Sequence, residues 1–144
     1  MKRDRSRGLL GLGLLCALCV ACASGKRESA SLVVAVDRYR AAEMGGKGPL
    51  ADAIAAVPCS VDEVCAAKEA CVASARPTAR GAALKAEVES SLAELHAGRI
   101  TQEQAASRGL AGKLDEASRL LDEGHDKLAA CDARITALRL EYGL

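Results

Sequence analysis

The stretch from Thr101 to Tyr142, TQEQAASRGLAGKLDEASRLLDEGHDKLAACDARITALRLEY, carries apolar or small residues at alternating steps of four and three. This spacing is the heptad pattern of a helix that buries one seam in a coiled coil or narrow bundle. Charged residues such as Asp115, Lys127 and Arg139 lie beside the seam. The sequence therefore predicts a long helix that needs a partner. Its seam positions are Leu110, Leu114, Ala117, Leu121, Gly124, Leu128, Cys131, Ile135, Leu138 and Tyr142.

The segment 60–95 supplies a partner helix within the same chain. Residues 60–63 (SVDE) and 101–104 (TQEQ) both have the pattern of a capping box, which marks the start of a helix. Pro77 lies inside the first helix, where it is expected to bend or locally break it. Only residues 96–100 separate the two helices, so we expect them to be antiparallel neighbours.

The cysteines test this hairpin independently. Beyond the leader and Cys22 there are four, which allow three pairings: Cys59, Cys65, Cys71 and Cys131. On one helix, Cys65 and Cys71 would lie about 9 Å apart along the axis and point to different sides, too far apart for a bridge. Cys59 is farther still from Cys71. Only Cys59–Cys65 together with Cys71–Cys131 remains.

The pair Cys71–Cys131 also sets the register of the predicted hairpin. The numbers of facing residues in an antiparallel pair have a constant sum, here 202, whose midpoint falls at Thr101 beside the predicted turn. A bridge over this loop should stabilise the fold by roughly 4 kcal/mol. The same register pairs Val64 with Leu138, Ala67 with Ile135, Thr78 with Gly124, Gly81 with Leu121, Val88 with Leu114 and Leu92 with Leu110.

Two shorter segments precede the hairpin. The stretch from Leu32 to Met44 has helical spacing, and the glycines that follow should end it. Residues 45–49 (GGKGP) read as a flexible connector, because they lack the GxxxxGK[ST] spacing of a phosphate-binding loop. Pro49 suits the first turn of a short helix from Leu50 to Val57. The predicted fold is all-α: a disulfide-braced, coiled-coil-like antiparallel hairpin over 60–142, with one or two shorter N-terminal helices in a helical domain over 31–144.

The first 21 residues have the organisation of a secretory signal peptide. Four basic residues, Lys2, Arg3, Arg5 and Arg7, precede an apolar run from Leu9 to Val20. This run is too short to be a comfortable membrane span. The sequence therefore predicts export from the cytoplasm.

The end of this signal, residues 18–22 (LCVAC), resembles the lipobox of bacterial lipoproteins. The resemblance implies that Cys22 is lipidated and becomes the new N-terminus, with residues 22–30 as a small, polar tether. Because Ala23 is not acidic, the resemblance further implies the periplasmic face of the outer membrane. Residues 21–23 (ACA) also fit the A-x-A rule of ordinary signal-peptide cleavage, which would release a soluble periplasmic or secreted protein.

Composition limits the partners. The chain has two tyrosines and no phenylalanine or tryptophan, so surfaces for stacking on bases or sugars are not expected. The residues after position 21 include 16 basic and 18 acidic side chains, which form no polybasic patch. A nucleic-acid partner is therefore not predicted.

No catalytic, cofactor or metal site is predicted either. Structural zinc ligands come as C-x₂₋₄-C pairs, whereas five residues separate Cys59 from Cys65 and Cys65 from Cys71. The histidines His96 and His125 read as solvated surface residues. The acidic pairs Asp115-Glu116 and Asp122-Glu123 read as a solvated helix face. A narrow alanine-rich bundle also offers no deep pocket for a small-molecule substrate, so an enzyme is not expected.

These features favour a non-enzymatic lipoprotein that acts as a structural or protein-interaction module. Its expected partners are the membrane, through the N-terminal lipid, and a protein that the sequence does not identify. The alternative is a soluble periplasmic holdase-like or binding protein that uses the hairpin to hold client chains. A metal-binding domain is a third, less favoured interpretation.

Overall fold

The computed structural model describes residues 10–144, with side chains from Ser24 onward. This part of the chain is all-α, as the sequence predicts, and its residues form no strand. The elements are α1 (Leu10–Ala41), a 3₁₀ turn (Met44–Gly46), α2 (Lys47–Ala56), α3 (Asp62–His96), α4 (Gln102–Ser107), α5 (Leu110–Asp126) and α6 (Leu128–Tyr142).

The predicted hairpin is confirmed: α3 packs against both α5 and α6, and the chain reverses direction between His96 and Thr101. The capping box at Thr101 is present. Its hydroxyl accepts a hydrogen bond from the backbone N–H of Gln104, whose side chain accepts one from the backbone N–H of Thr101. Two donors at the start of α4 are satisfied in this way.

The predicted register is also confirmed. Cys71 and Cys131 are bridged with their Cα atoms 4.5 Å apart. Near the tip, Arg108 forms an ion pair with Glu94 at 2.7 Å, which fits the same sum of residue numbers. In the middle, a Cβ atom added to Gly81 would lie 3.0 Å from the Cγ atom of Leu121.

The second half of the hairpin, after the turn, consists of three helices rather than the predicted single one. Gly109, at φ +63°, separates α4 from α5, and Lys127 separates α5 from α6. A positive φ costs glycine little, so the chain can interrupt the helix there without strain. In α3, by contrast, the predicted break at Pro77 is absent, because the helix continues from Asp62 to His96.

The predicted capping box at Ser60 is wrong. Helix α3 begins at Asp62 after Val61, without a side-chain cap. Ser60 instead donates two hydrogen bonds to the carboxylate of Glu28 on α1, from its backbone N–H at 2.7 Å and from its hydroxyl at 2.6 Å. A contact between distant segments has replaced the local one.

The predicted tether is also wrong from Ser24 onward. These residues belong to α1, which begins well before Leu32, and the side chains of Ser29 and Leu32 are completely buried. Gly25 lies against the ring of Tyr142 at the end of α6. The start of the folded domain therefore precedes residue 31. The signal peptide and the side chain of Cys22 lie outside the residues whose side chains are described.

The core of the fold lies at the open end of the hairpin, which we call the base (24–79 and 128–144). There α1 and α2 cover α3 and α6. Both cysteines of the Cys71–Cys131 bridge lie inside this core. Buried apolar residues of the base include Leu32, Val36, Ile54, Val64, Ala67, Ile135 and Leu138.

Residues 80–126 form a second part, which we call the arm. It contains the tip-side half of α3, with α4 and α5. Its buried apolar residues are three alanines, one valine and one leucine: Ala82, Ala105, Ala117, Val88 and Leu120. The predicted leucine contacts at the tip are incomplete, since Leu92 and Leu114 remain 43% and 47% exposed. The arm is therefore thinner and less well packed than the base.

Candidate functional site

The four cysteines of the described domain form the two predicted disulfides. Cys59 and Cys65 have Cα atoms 5.3 Å apart, and Cys71 and Cys131 form the bridge inside the core. Such bonds form and persist in oxidising compartments, so they indicate an extracytoplasmic environment. In the oxidised protein none of these four cysteines has a free thiolate to bind a metal.

Within residues 24–144, no three or more His, Cys, Asp or Glu side chains are grouped as a metal ion would require. The same residues contain no helix with the length and hydropathy needed to span a bilayer. His96 and His125 are both exposed, as predicted.

The acidic pairs beside the seam take part in surface ion pairs. Arg119 donates hydrogen bonds to Glu116, and Lys127 donates one to Glu123. These hydrogen bonds are the main reason that the pKa of each of the two carboxyls is lowered. Both groups therefore stay ionised near neutral pH, which suits a charged surface better than proton transfer.

A cleft of about 340 Å³ lies where the end of α1, the start of α2, the middle of α3 and the α5–α6 junction meet. Three of its lining side chains are basic and none is acidic. Three others carry hydroxyl groups, and two are leucines. The lining residues are Tyr39, Arg40, Lys47, Ser74, Thr78, Leu121, Gly124, His125 and Leu128.

Lys47 is the most buried basic residue of this cleft, at 9% exposure. Its Nζ atom donates a hydrogen bond of 2.8 Å to the carbonyl oxygen of Tyr39 and lies 4.4 Å from the centre of the Tyr39 ring. Tyr39 is in the last turn of α1, whose final carbonyls have no helical donor, so the ammonium group caps this helix. The GGKGP segment is thus the end of the 3₁₀ turn and the start of α2 rather than a flexible connector.

The phenol of Tyr39 is fixed from the other side. Its hydroxyl donates a hydrogen bond of 3.1 Å to the carbonyl oxygen of Ala75 on α3. Burial raises the pKa of the Tyr39 hydroxyl, and a hydrogen bond with the Thr78 side chain partly opposes this shift. The ring therefore remains a neutral wall of the cleft.

The other polar groups of the cleft differ in the hydrogen bonds and ion pairs that they form with the rest of the protein. Ser74 donates its hydroxyl proton to the carbonyl oxygen of Gly124. Arg40 forms an ion pair with Asp132 and lies 4.0 Å from a carboxylate oxygen of Asp37. Both acids are outside the lining, so Arg40 is shared between these carboxylates and the cleft.

A second, wider cleft of about 510 Å³ lies between α3 and the α5–α6 junction. It contains Pro77 together with both basic and acidic residues, among them Lys68, Glu69 and Lys127. Its basic and acidic side chains can neutralise one another, so this cleft does not favour a ligand of one charge.

Sequence reasoning missed the cationic cleft because its three basic residues come from three separate segments of the chain. The only local signal was the lysine in GGKGP, which lacks the spacing of a phosphate-binding loop. When the chain is compared with known proteins, no family model, curated protein or solved structure matches it.

Proposed function

We propose that this protein is an exported, non-enzymatic lipoprotein whose two-helix arm serves as a structural or protein-interaction module. The observation that carries the proposal is the difference between base and arm. The core and both disulfides are concentrated in the base, whereas the arm is a thin pair of helices with few large buried side chains. Leu92 and Leu114 of the arm are partly exposed, and the base also exposes Leu140. A thin helical hairpin with exposed leucines is suited to contact another protein.

The position of the expected anchor supports this assignment. Cys22 precedes Gly25 by three residues, and Gly25 lies against Tyr142 in the base. A lipid on Cys22 would therefore hold the base at the outer membrane and leave the arm pointing away from the anchor. The environment indicated by the disulfides agrees with the periplasmic location.

Lipid attachment is tested by metabolic labelling with a fatty-acid analogue, followed by separation into detergent and aqueous phases. We expect the wild type to be labelled and to enter the detergent phase, and Cys22→Ser to be unlabelled. An unlabelled wild type in the aqueous phase would refute the lipoprotein assignment. It would favour the soluble holdase-like alternative, for which the exposed leucines of the arm are also suitable.

The interaction role is tested by placing a photo-reactive amino acid at Leu92 or Leu114 in the native cell. Ala133, an exposed residue of α6 in the base, is the matched control position. We expect the arm positions to crosslink to one defined protein and position 133 to leave that protein unlabelled. Equal crosslinking from all three positions, or none from the arm, would contradict the proposed role.

A further inference from the structure

The cationic cleft has an electrostatic feature that the interaction role does not use. Lys47 carries a full positive charge while almost completely buried. Its contacts among the described residues are a carbonyl oxygen and the face of an aromatic ring. These groups carry only partial negative charge, and a buried ion is costly unless it has a counter-charge.

The hydrogen-bonding capacity of Lys47 is also incompletely used. An ammonium group has three N–H donors, and one of them binds the Tyr39 carbonyl. Arg40 and His125 line the same cleft, and no carboxylate does. The carboxylates that bind Arg40 belong to Asp37 and Asp132, and both lie outside the lining.

The shape of the cleft adds a second requirement for a ligand. Leu121, Leu128 and the ring of Tyr39 provide apolar walls beside the basic groups. The volume of about 340 Å³ is near the lower end of the range for small-molecule sites. An anion with a short apolar group would contact both the basic groups and the apolar walls.

We propose that this cleft binds a small oxyanion, a carboxylate or a phosphate group, which pairs with Lys47 and rests its apolar part on Leu121 and Leu128. Arg40, which also pairs with Asp37 and Asp132, contributes further positive charge at the rim, and His125 contributes a polar ring there. The site lies where base and arm meet, away from the tip leucines, and is independent of lipid attachment at Cys22. The protein then has a small-ligand site in addition to its arm.

The test is NMR titration of the isotopically labelled full-length chain in detergent, following the amide signals of Lys47, Gly124 and His125. The probes are inorganic phosphate, acetate and butyrate, with sodium chloride at matched ionic strength as the reference. We expect saturable shifts confined to residues around the cleft, and roughly tenfold tighter binding of butyrate than acetate, because butyrate buries two more methylene groups. Saturation by phosphate but not the carboxylates would identify the phosphate group as the ligand.

Lys47→Gln should weaken binding at least tenfold. Lys85→Gln is the matched control, since Lys85 is an exposed lysine of α3 paired with Glu89 and outside the cleft. If Lys47→Gln fails to fold by circular dichroism, Arg40→Gln and His125→Gln, both at the rim, should each weaken binding severalfold. Shifts of the wild type that never saturate, or equal binding by the Lys85→Gln and cleft variants, would overturn the proposal.

Discussion

The hydroxyl of Ser74 on α3 donates a hydrogen bond of 2.7 Å to the carbonyl oxygen of Gly124 on α5, in the buried interface where base and arm meet. The two backbones can approach this closely because residue 124 has no side chain. A Cβ atom there would lie 2.9 Å from the carbonyl oxygen of Ser74 and 3.0 Å from the backbone nitrogen of Thr78. The side-chain hydroxyl of Thr78 would be closer still. The other two obstacles are backbone atoms, which cannot move aside as a flexible side chain can.

Gly124→Ala should therefore lower the free energy of unfolding by about 1–3 kcal/mol, the usual cost of overpacking. Gly112→Ala is the matched control on the same helix, because nothing lies within 4 Å of its Cβ position. It should stabilise by about 0.5–1 kcal/mol through helix propensity. Urea denaturation followed by circular dichroism measures both. The close approach would be disproved if the two variants were equally stable.

The two disulfides should contribute unequally to stability. Cys71–Cys131 joins residues 60 positions apart and Cys59–Cys65 residues 6 apart. Loop entropy predicts about 4 kcal/mol for the long bridge and about 2 kcal/mol for the short one. We expect Cys71→Ala with Cys131→Ala to lower the melting temperature more than Cys59→Ala with Cys65→Ala. Peptide mapping without reduction should find Cys71 joined to Cys131. A Cys65–Cys131 linkage would contradict the observed register.

Glu28 should make folding stability depend on acid pH. The pKa of its carboxyl is lowered from the ordinary 4.5, chiefly by the hydrogen bond from the Ser60 hydroxyl and then by that from the Ser60 backbone. Because the folded pKa is below the unfolded value, this stabilisation is complete above the unfolded pKa. It is lost as pH falls through the folded pKa.

Glu28→Gln should accordingly destabilise the protein at pH 7, and its difference from the wild type should shrink below about pH 4.5. Glu63→Gln is the control, because Glu63 would be the partner of Ser60 in the predicted capping box. We expect thermal denaturation from pH 7 to pH 3 to show little effect of this control. A larger loss of stability from Glu63→Gln than from Glu28→Gln would show that Ser60 is paired with Glu63, as the predicted capping box requires.

Base and arm should also differ in local stability. The arm buries mainly alanines with one valine and one leucine, whereas the base encloses a larger apolar core and a covalent bridge. Amide hydrogen exchange should therefore be faster over residues 84–120 than over 64–79 and 128–138. Uniform protection along α3 would show that the hairpin opens only as a whole.

The sequence predicts the hairpin well because two independent constraints agree. Heptad spacing identifies the helices, and the only sterically feasible cysteine pairing sets their register. The errors arise where a distant partner decides the outcome. Ser60 binds Glu28 on α1 instead of capping its own helix, and Lys47 is buried against Tyr39 although its neighbours are glycines. Neither contact leaves a periodic pattern in the sequence.

The unbroken length of α3 determines how the molecule can be altered. Its 35 residues extend for about 52 Å at 1.5 Å per residue. Gly25 and Glu28 both pack within the base, so the chain that follows residue 24 has no slack. The distance between the base and the tip of the arm is thus fixed. Inserting seven residues in α3 and seven at the facing position of α5 would extend it by about 10 Å and preserve the seam. An insertion in one helix alone would shift every contact on the tip side of it, so length changes are tolerated only when both helices change together.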